Sequence, residues 1–299
     1  MNPAQPQLVD LLERTSRTFA VAIPCLDEPL RTDVTVAYLL FRVADIIEDG
    51  TELAQEEKLA CLDRLHEGLR FPRSAEASLS LGLPRPPTGN PDYLELLANL
   101  DLVLRAFHQR DDTVQEIITA SVRASIAGMQ RFIAQSPDGM VQVSTVPDVR
   151  DYCYCVAGLV GEMLTALYVE RFPTLVAYRD RLLDTARWFG EGLQLVNILK
   201  DAHDDEQDGR LFVASEALRT ELFALARADL RLAEEYVQTL AAGHPPAGLL
   251  AFNRLPLRLA WRTLELVETK GPGSKVSRDE VFAIVAEVVA DSQRTAHLP

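Results

Sequence analysis

Two apolar, helix-periodic stretches of this chain each run into a knot of carboxylates. The first knot is Asp45-Ile46-Ile47-Glu48-Asp49, closing AYLLFRVADIIEDG (37–50). The second is Asp201-Ala202-His203-Asp204-Asp205, inside LQLVNILKDAHDDEQDGR (193–210). Carboxylates four residues apart share one helix face and repel. Folding gains nothing from such pairs unless a cation sits between them. Two of them in one helical chain point to a cavity that gathers Mg²⁺ around a phosphorylated substrate.

Each knot ends a polar line on an otherwise apolar helix. Tyr38, Arg42, Asp45 and Asp49 recur at helical spacing, with Glu48 beside them, among Leu39, Leu40, Phe41, Val43, Ile46 and Ile47. Gln194, Asn197, Asp201 and Asp205 repeat the pattern among Leu193, Leu195, Val196, Ile198 and Leu199. Both lines are expected to be buried, and buried polar groups need partners. An ion-pair network would satisfy either line alone, and Asp204 to Asp208 alone reads as a solvated helix end. Two such lines together are not explained by solubility. Arg17, Arg42, Lys200 and Arg210 are the cations available to grip phosphate.

A net charge of -14 over 299 residues disfavours nucleic acid and anionic lipid as partners. It also requires that any diphosphate ligand be met by bound metal, which reverses the local sign. Hydrophobic residues at 47% permit a large core. Cys25, Cys61, Cys153 and Cys155 form no C-x-x-C, and the histidines have no zinc spacing. No histidine has a glutamate three residues before it, which removes a di-iron bundle. A reduced cytoplasmic protein is expected, without a signal peptide or a transmembrane helix.

Helical periodicity dominates. Helices are expected near 4–21, 30–50, 53–70, 92–109, 112–136, 147–170, 174–206, 214–242, 246–270 and 277–295. Proline-rich 71–93 reads as a surface loop, and 136–148 and 269–275 as further breaks. The expected architecture is one all-α domain over 1–299, its helices set around a central cavity. In DYCYCVAGLVGEML (151–164), Gly158 and Gly161 each cost about 1 kcal/mol of helix propensity against alanine. Close helix packing or a bulky ligand against the backbone would account for them, with packing favoured. No G-x-G-x-x-G follows a strand, so no Rossmann site is expected.

Together these segments resemble the squalene/phytoene synthase family of head-to-head prenyl synthases. The match runs through SRTFAVAIPCLDEPLR (16–31), 37–50, YCYCVAGLVGEMLTALY (152–168) and GEGLQLVNILKDAHDDEQDGR (190–210), and more weakly FNRLPLRLAWRTLELV (252–267). The D-x-x-E-D form of the first knot resembles squalene synthases more than phytoene synthases. KVSR (275–278) resembles the basic stretch that helps hold NADPH there.

The resemblance implies an all-α isoprenoid synthase fold, Mg²⁺ and farnesyl diphosphate. It implies Asp45, Glu48, Asp49, Asn197, Asp201 and Asp205 as metal ligands. Ser16, Arg17, Phe19, Arg42, Gln194, Asn197, Lys200 and Arg210 would hold diphosphate. Tyr152, Arg42 and Tyr38 would be catalytic, Tyr152 by removing a proton on the way to presqualene diphosphate. Asn197, Lys275 and Arg278 would hold NADPH for a final hydride step to squalene. Phe19, Tyr38, Tyr154 and Phe252 would shield cations from water.

Three departures weaken the NADPH expectation more than the diphosphate one. Lys200 replaces the usual arginine and loses its bidentate fork. Asp10 stands where animal enzymes have a cofactor-associated lysine, and Leu257 where they have glutamine. The C-terminal membrane anchor of eukaryotic members is not expected, though a lipid product allows peripheral membrane contact. Rival readings are a phytoene or dehydrosqualene synthase without reductant, a presqualene diphosphate synthase, and a catalytically inactive helical assembly factor.

Overall fold

The computed structural model describes residues 5–70 and 81–296, and among them the fold is all-α. The only β pairing among the described residues is an isolated parallel bridge between Gln142 and Leu211. Of the loop expected over 71–93, residues 71–80 lie outside the described residues. Residues 81–90 have no helix, and a helix begins at Pro91. Residue 4, the expected start of the first helix, and His297 also lie outside.

The chain forms two compact units, Met1–Ile23 with Glu28–Val141, and Pro24–Asp27 with Gln142–Pro299. The first holds α1 (Gln5–Thr15), α2 (Phe19–Ala22), α3 (Leu30–Glu48), α4 (Gln55–Arg70), α5 (Pro91–Ala98), α6 (Leu100–His108) and α7 (Asp112–Gln135). α3 is its core element, packed by α1, α4, α5, α6 and α7. Leu39, Leu40, Val43, Ala44 and Ile47 are wholly excluded from solvent. Fully burying one leucine or isoleucine stabilises by about 1.5–3 kcal/mol, so this helix anchors the unit.

The second unit holds α8 (Val146–Cys153), α9 (Leu159–Arg171), α10 (Arg179–Gln207), α11 (Glu216–Ala242), α12 (Ala247–Lys270) and α13 (Arg278–Ala296). α10 lies against α8, α9, α11 and α12, while α13 packs on α12. Polar caps set several starts. Thr145 accepts from the Asp148 amide and Ser215 from the Leu218 amide. Gly271, at φ 89°, ends α12 in a backbone state that favours glycine.

Expected helices are broken in several places. The first stops at Thr15, where the Ser16 hydroxyl accepts the Phe19 amide at 2.9 Å and starts α2 instead. The helix expected over 92–109 divides at Asn99, whose side-chain amide donates to the Glu95 carbonyl at 2.9 Å. Pro173–Tyr178 forms a tight 3₁₀ turn ahead of α10, which therefore begins at Arg179. Between α8 and α9, Tyr154–Gly158 winds as a wider π turn.

Val146–Arg171 is long and apolar enough, by length and composition, to cross a membrane. Just over half of its most apolar window, 56%, is buried inside the protein, so packing accounts for much of its apolarity. The glycines there serve helix contact. A Cβ on Gly161 would lie 2.1 Å from the Ala186 carbonyl oxygen, and one on Gly190 1.9 Å from that of Ala157. The backbones of α9 and the π turn therefore touch α10 directly.

Candidate active site

The first acidic helix end is organised by hydrogen bonds within the first unit. The Tyr38 hydroxyl donates to the Thr15 carbonyl at 3.0 Å. Arg42 donates to that hydroxyl through Nε at 3.3 Å and Nη2 at 3.2 Å. Its Nη1 lies 3.4 Å from Oδ2 of Asp45, one turn further on. The Phe19 ring stands 5.6 Å from that of Tyr38. Ser16, Phe19, Tyr38, Arg42 and Asp45 thus form one connected group, with Arg17 exposed in the same break.

Charge in this group is under tension. Burial pushes the Asp45 carboxyl up to about 6; Arg42 pulls it down and Asp49 adds to the rise. Burial works against the Arg42 guanidinium, but Asp45 and the Tyr38 and Tyr93 phenols hold it above its ordinary value. Tyr93, 5.9 Å from the guanidinium by ring centroid, has no signal in the sequence that joins it to this motif. Glu48 is buried, while Asp49 is only half-buried.

The second end lies on the last turns of α10. The Lys200 ammonium is 2.7 Å from Oδ2 of Asp201. Gly209, at φ 84°, turns the chain back so that Arg210 reaches Oδ1 of Asp205 at 2.8 Å. Its backbone amide also donates to the Asp205 carbonyl at 2.8 Å. The Val143 amide donates to the Leu211 carbonyl at 2.8 Å, and Phe212 stacks 4.9 Å from Tyr152. Tyr152 therefore contacts Phe212, which lies two residues along the chain from Arg210.

Lys275, on the segment after α12, and Arg278, at the start of α13, are exposed. That segment is tied to α10 by the Gly273 amide, which donates to the Lys200 carbonyl at 2.7 Å. Phe252 and Tyr152 are buried, and Gln194 is half-buried. The expected buried polar lines need correction. Asn197 is exposed, Asp201 is 36% exposed at its side chain, and Asp45 is 30% exposed. Both lines are open on one side, because complete burial of several charges would cost more than their pairing returns.

A charged network in the second unit escaped the sequence reading. Arg150 donates to Glu191 Oε2 at 2.9 Å and, through both terminal nitrogens, to Asp229 at 3.0 and 3.3 Å. Arg187 holds the other Glu191 oxygen through Nε at 2.8 Å. Both guanidiniums lie over the Trp188 ring, at 4.5 and 4.3 Å. Burial pushes the Glu191 and Asp229 carboxyls up, although the arginines pull them down. Nothing local marks residues so far apart in sequence as partners.

Among the described residues, no three His, Cys, Asp or Glu side chains converge into a ready metal cage. The donor set still fits Mg²⁺, a hard ion that takes one or two carboxylates and leaves its other positions to phosphate and water. Each acidic end supplies such oxygens beside an Arg or Lys. The basic segment at Lys275 and Arg278 likewise fits the phosphates of a dinucleotide.

The family described as squalene/phytoene synthase matches residues 12–281. A squalene synthase of Gibberella zeae is 33% identical over 223 residues, covering 72% of this chain and 44% of that protein. One of Saccharomyces cerevisiae is 33% identical over 207 residues, covering 68% and 44%. The chain thus spans under half the length of these curated relatives. A solved complex of TcSQS with the ligand BPH1237 shares the fold at a TM-score of 0.74 and 24% identity, covering 100% of this chain and 93% of that one. A dehydrosqualene synthase shares it at a TM-score of 0.59 and 20% identity, covering 97% of each chain. With its two acidic helix ends and a family match over most of its length, the chain belongs to the squalene/phytoene synthase family.

Proposed function

We propose that the chain joins two farnesyl diphosphates head to head, through presqualene diphosphate, to squalene. One observation carries this reading: each acidic helix end is paired with a cation able to grip diphosphate, Arg42 at Asp45 and Arg210 at Asp205. Asp45, Glu48, Asp49, Asn197, Asp201 and Asp205 would hold Mg²⁺. When bound, the ion supplies positive charge to the leaving diphosphate.

The residues of the chain do the rest. Ser16, Arg17, Arg42, Gln194, Lys200 and Arg210 bind and orient the diphosphates. The first diphosphate leaves with its bonding electron pair, and the double bond of the second substrate attacks the allylic carbon. Tyr152 removes the proton lost as the cyclopropane closes, passing its own phenolic proton to the released diphosphate. Phe19, Tyr38, Tyr154 and Phe252 offer aromatic faces to cations and keep water away. The second diphosphate then leaves the cyclopropane intermediate with its bonding pair and the carbon skeleton rearranges; Lys275, Arg278 and Asn197 would hold NADPH, which when bound would supply the hydride that quenches the remaining cation. Peripheral membrane contact would serve release of the lipid product.

Incubation with farnesyl diphosphate and Mg²⁺, with and without NADPH, tests this. Squalene with reductant, and presqualene diphosphate or dehydrosqualene without it, is the expected pattern. Equal squalene without reductant contradicts the hydride step. Conversion only of a longer prenyl diphosphate would select a phytoene synthase, and no consumption of any would select a scaffold.

A further inference from the structure

Lys58, in the second turn of α4, is wholly buried. A buried ammonium costs several kcal/mol unless its protons are taken up, so such a residue needs a reason. Its Nζ donates to the Glu48 carbonyl at 2.7 Å, to the Gly139 carbonyl at 3.0 Å, and lies 3.2 Å from the Met140 sulfur. The three contacts span the end of α3 and the turn after α7.

The Glu48 carbonyl has a particular place. It belongs to the peptide unit that joins Glu48 to Asp49. At the end of α3 the Asp49 amide takes the Asp45 carbonyl at 2.8 Å, and the Gly50 amide takes that of Ile47 at 3.3 Å. The Glu48 carbonyl is among the last four of α3, which lie beyond the reach of the helix's own amides, and Lys58 serves it. This end also carries the negative pole of the helix dipole together with Asp45, Glu48 and Asp49, the least favourable place for carboxylates.

The other anchor is held equally firmly. Asp138 and Gly139 have φ of 54° and 69°, a turn that fixes where the Gly139 carbonyl points. A Cβ on Gly139 would lie 3.0 Å from Cα of Gln55, so the turn is pressed against the start of α4. The Gln55 side-chain Nε2 donates to the Ile133 carbonyl at 2.9 Å, at the end of α7. The ammonium therefore links the acidic end of α3 to a rigid support made by α4 and α7.

We propose that Lys58 is a positioning residue: it fixes the Glu48–Asp49 peptide, and with it the carboxylates of the first acidic end, for a metal–diphosphate complex. The inference rests on the reading of that end as a diphosphate site. Groups that orient ligating residues typically alter metal affinity about 10- to 100-fold when removed.

The test is the thermal shift of the intact chain produced by Mg²⁺ with inorganic pyrophosphate, in the wild type, Lys58→Met, Lys58→Gln and Lys58→Arg. The wild type should be stabilised. In Lys58→Met the Mg²⁺ concentration for half of the maximal shift should rise about 10- to 100-fold, with Lys58→Arg recovering part of the loss. Should Lys58→Met not fold, Lys58→Gln, which keeps a donor of similar length without charge, gives the same reading. A lower melting temperature in Lys58→Met or Lys58→Gln with an unchanged Mg²⁺ response would make Lys58 a structural residue and overturn the proposal alone. Failure of both Lys58→Met and Lys58→Gln to fold would assign the lysine to folding and overturn it as well. No shift in the wild type would instead refute the diphosphate site and this inference with it.

Discussion

Arg42 lies 3.4 Å from Asp45 along α3 while the same guanidinium donates to the Tyr38 hydroxyl. The pair combines an anion that would hold metal with a cation that would hold the departing diphosphate. Arg42→Met should lower kcat/KM with farnesyl diphosphate by about 100-fold or more, the cost of losing a donor aimed at developing charge. Arg42→Lys should recover only part, because it keeps charge but not the fork. Steady-state kinetics alongside circular dichroism separates this from loss of fold.

The Arg150 network makes a prediction about stability. Arg150→Met would strand Asp229 and leave Glu191 with Arg187 alone; the two carboxylates are 1% and 0% exposed at their side chains. Removal of one partner from a buried pair costs about 3–5 kcal/mol. Combining it with Glu191→Gln and Asp229→Asn should restore part of that loss, since no buried anion then remains unpaired. Urea denaturation of the single and triple variants measures the difference. A triple variant less stable than the single one would contradict this account.

Helix contact through glycine is equally testable. Gly190→Ala places a methyl group 1.9 Å from the Ala157 carbonyl oxygen. Either the π turn or α10 must shift, at about 1–3 kcal/mol. Thermal unfolding should show the loss. An unchanged melting temperature would mean that the contact has room to spare.

These two cases show what the sequence could and could not disclose. The all-α class follows from periodicity, and the two acidic ends follow from residues within a turn or two of each other, such as Arg42 with Asp45. Even the packing role of Gly161 was readable as a cost that had to be met. The Arg150 network joins α8, α10 and α11, and no local pattern signals a contact across 79 residues. Lys58 likewise reads as one more charge in QEEKLACLDRL (55–65) until it is found buried. The open side of Asn197 was missed because helical spacing gives a face but not what covers it.

Glu280 gives a pH prediction. Hydrogen bonds from Arg262, and from the Ser277 amide and hydroxyl, hold its carboxyl down at about 2, from an ordinary value of 4.5. A folded-state pKa below the unfolded one contributes stability above about pH 4.5 and loses it as pH falls through about 2. Carbon-detected titration of Glu280 should give a midpoint near 2 in the wild type, moving toward 4.5 in Arg262→Met. A wild-type midpoint at the ordinary value would remove Arg262 as its anchor. The contact fixes the start of α13, beside Lys275 and Arg278.

The claim that the two acidic helix ends serve one diphosphate chemistry is tested most directly by Mg²⁺-dependent release of inorganic diphosphate from farnesyl diphosphate. Wild type, Asp45→Asn and Asp201→Asn are compared, with folding checked by circular dichroism. The account predicts release by the wild type only with Mg²⁺, and at least about 100-fold slower release by each folded variant. Release at the wild-type rate by either variant would contradict it.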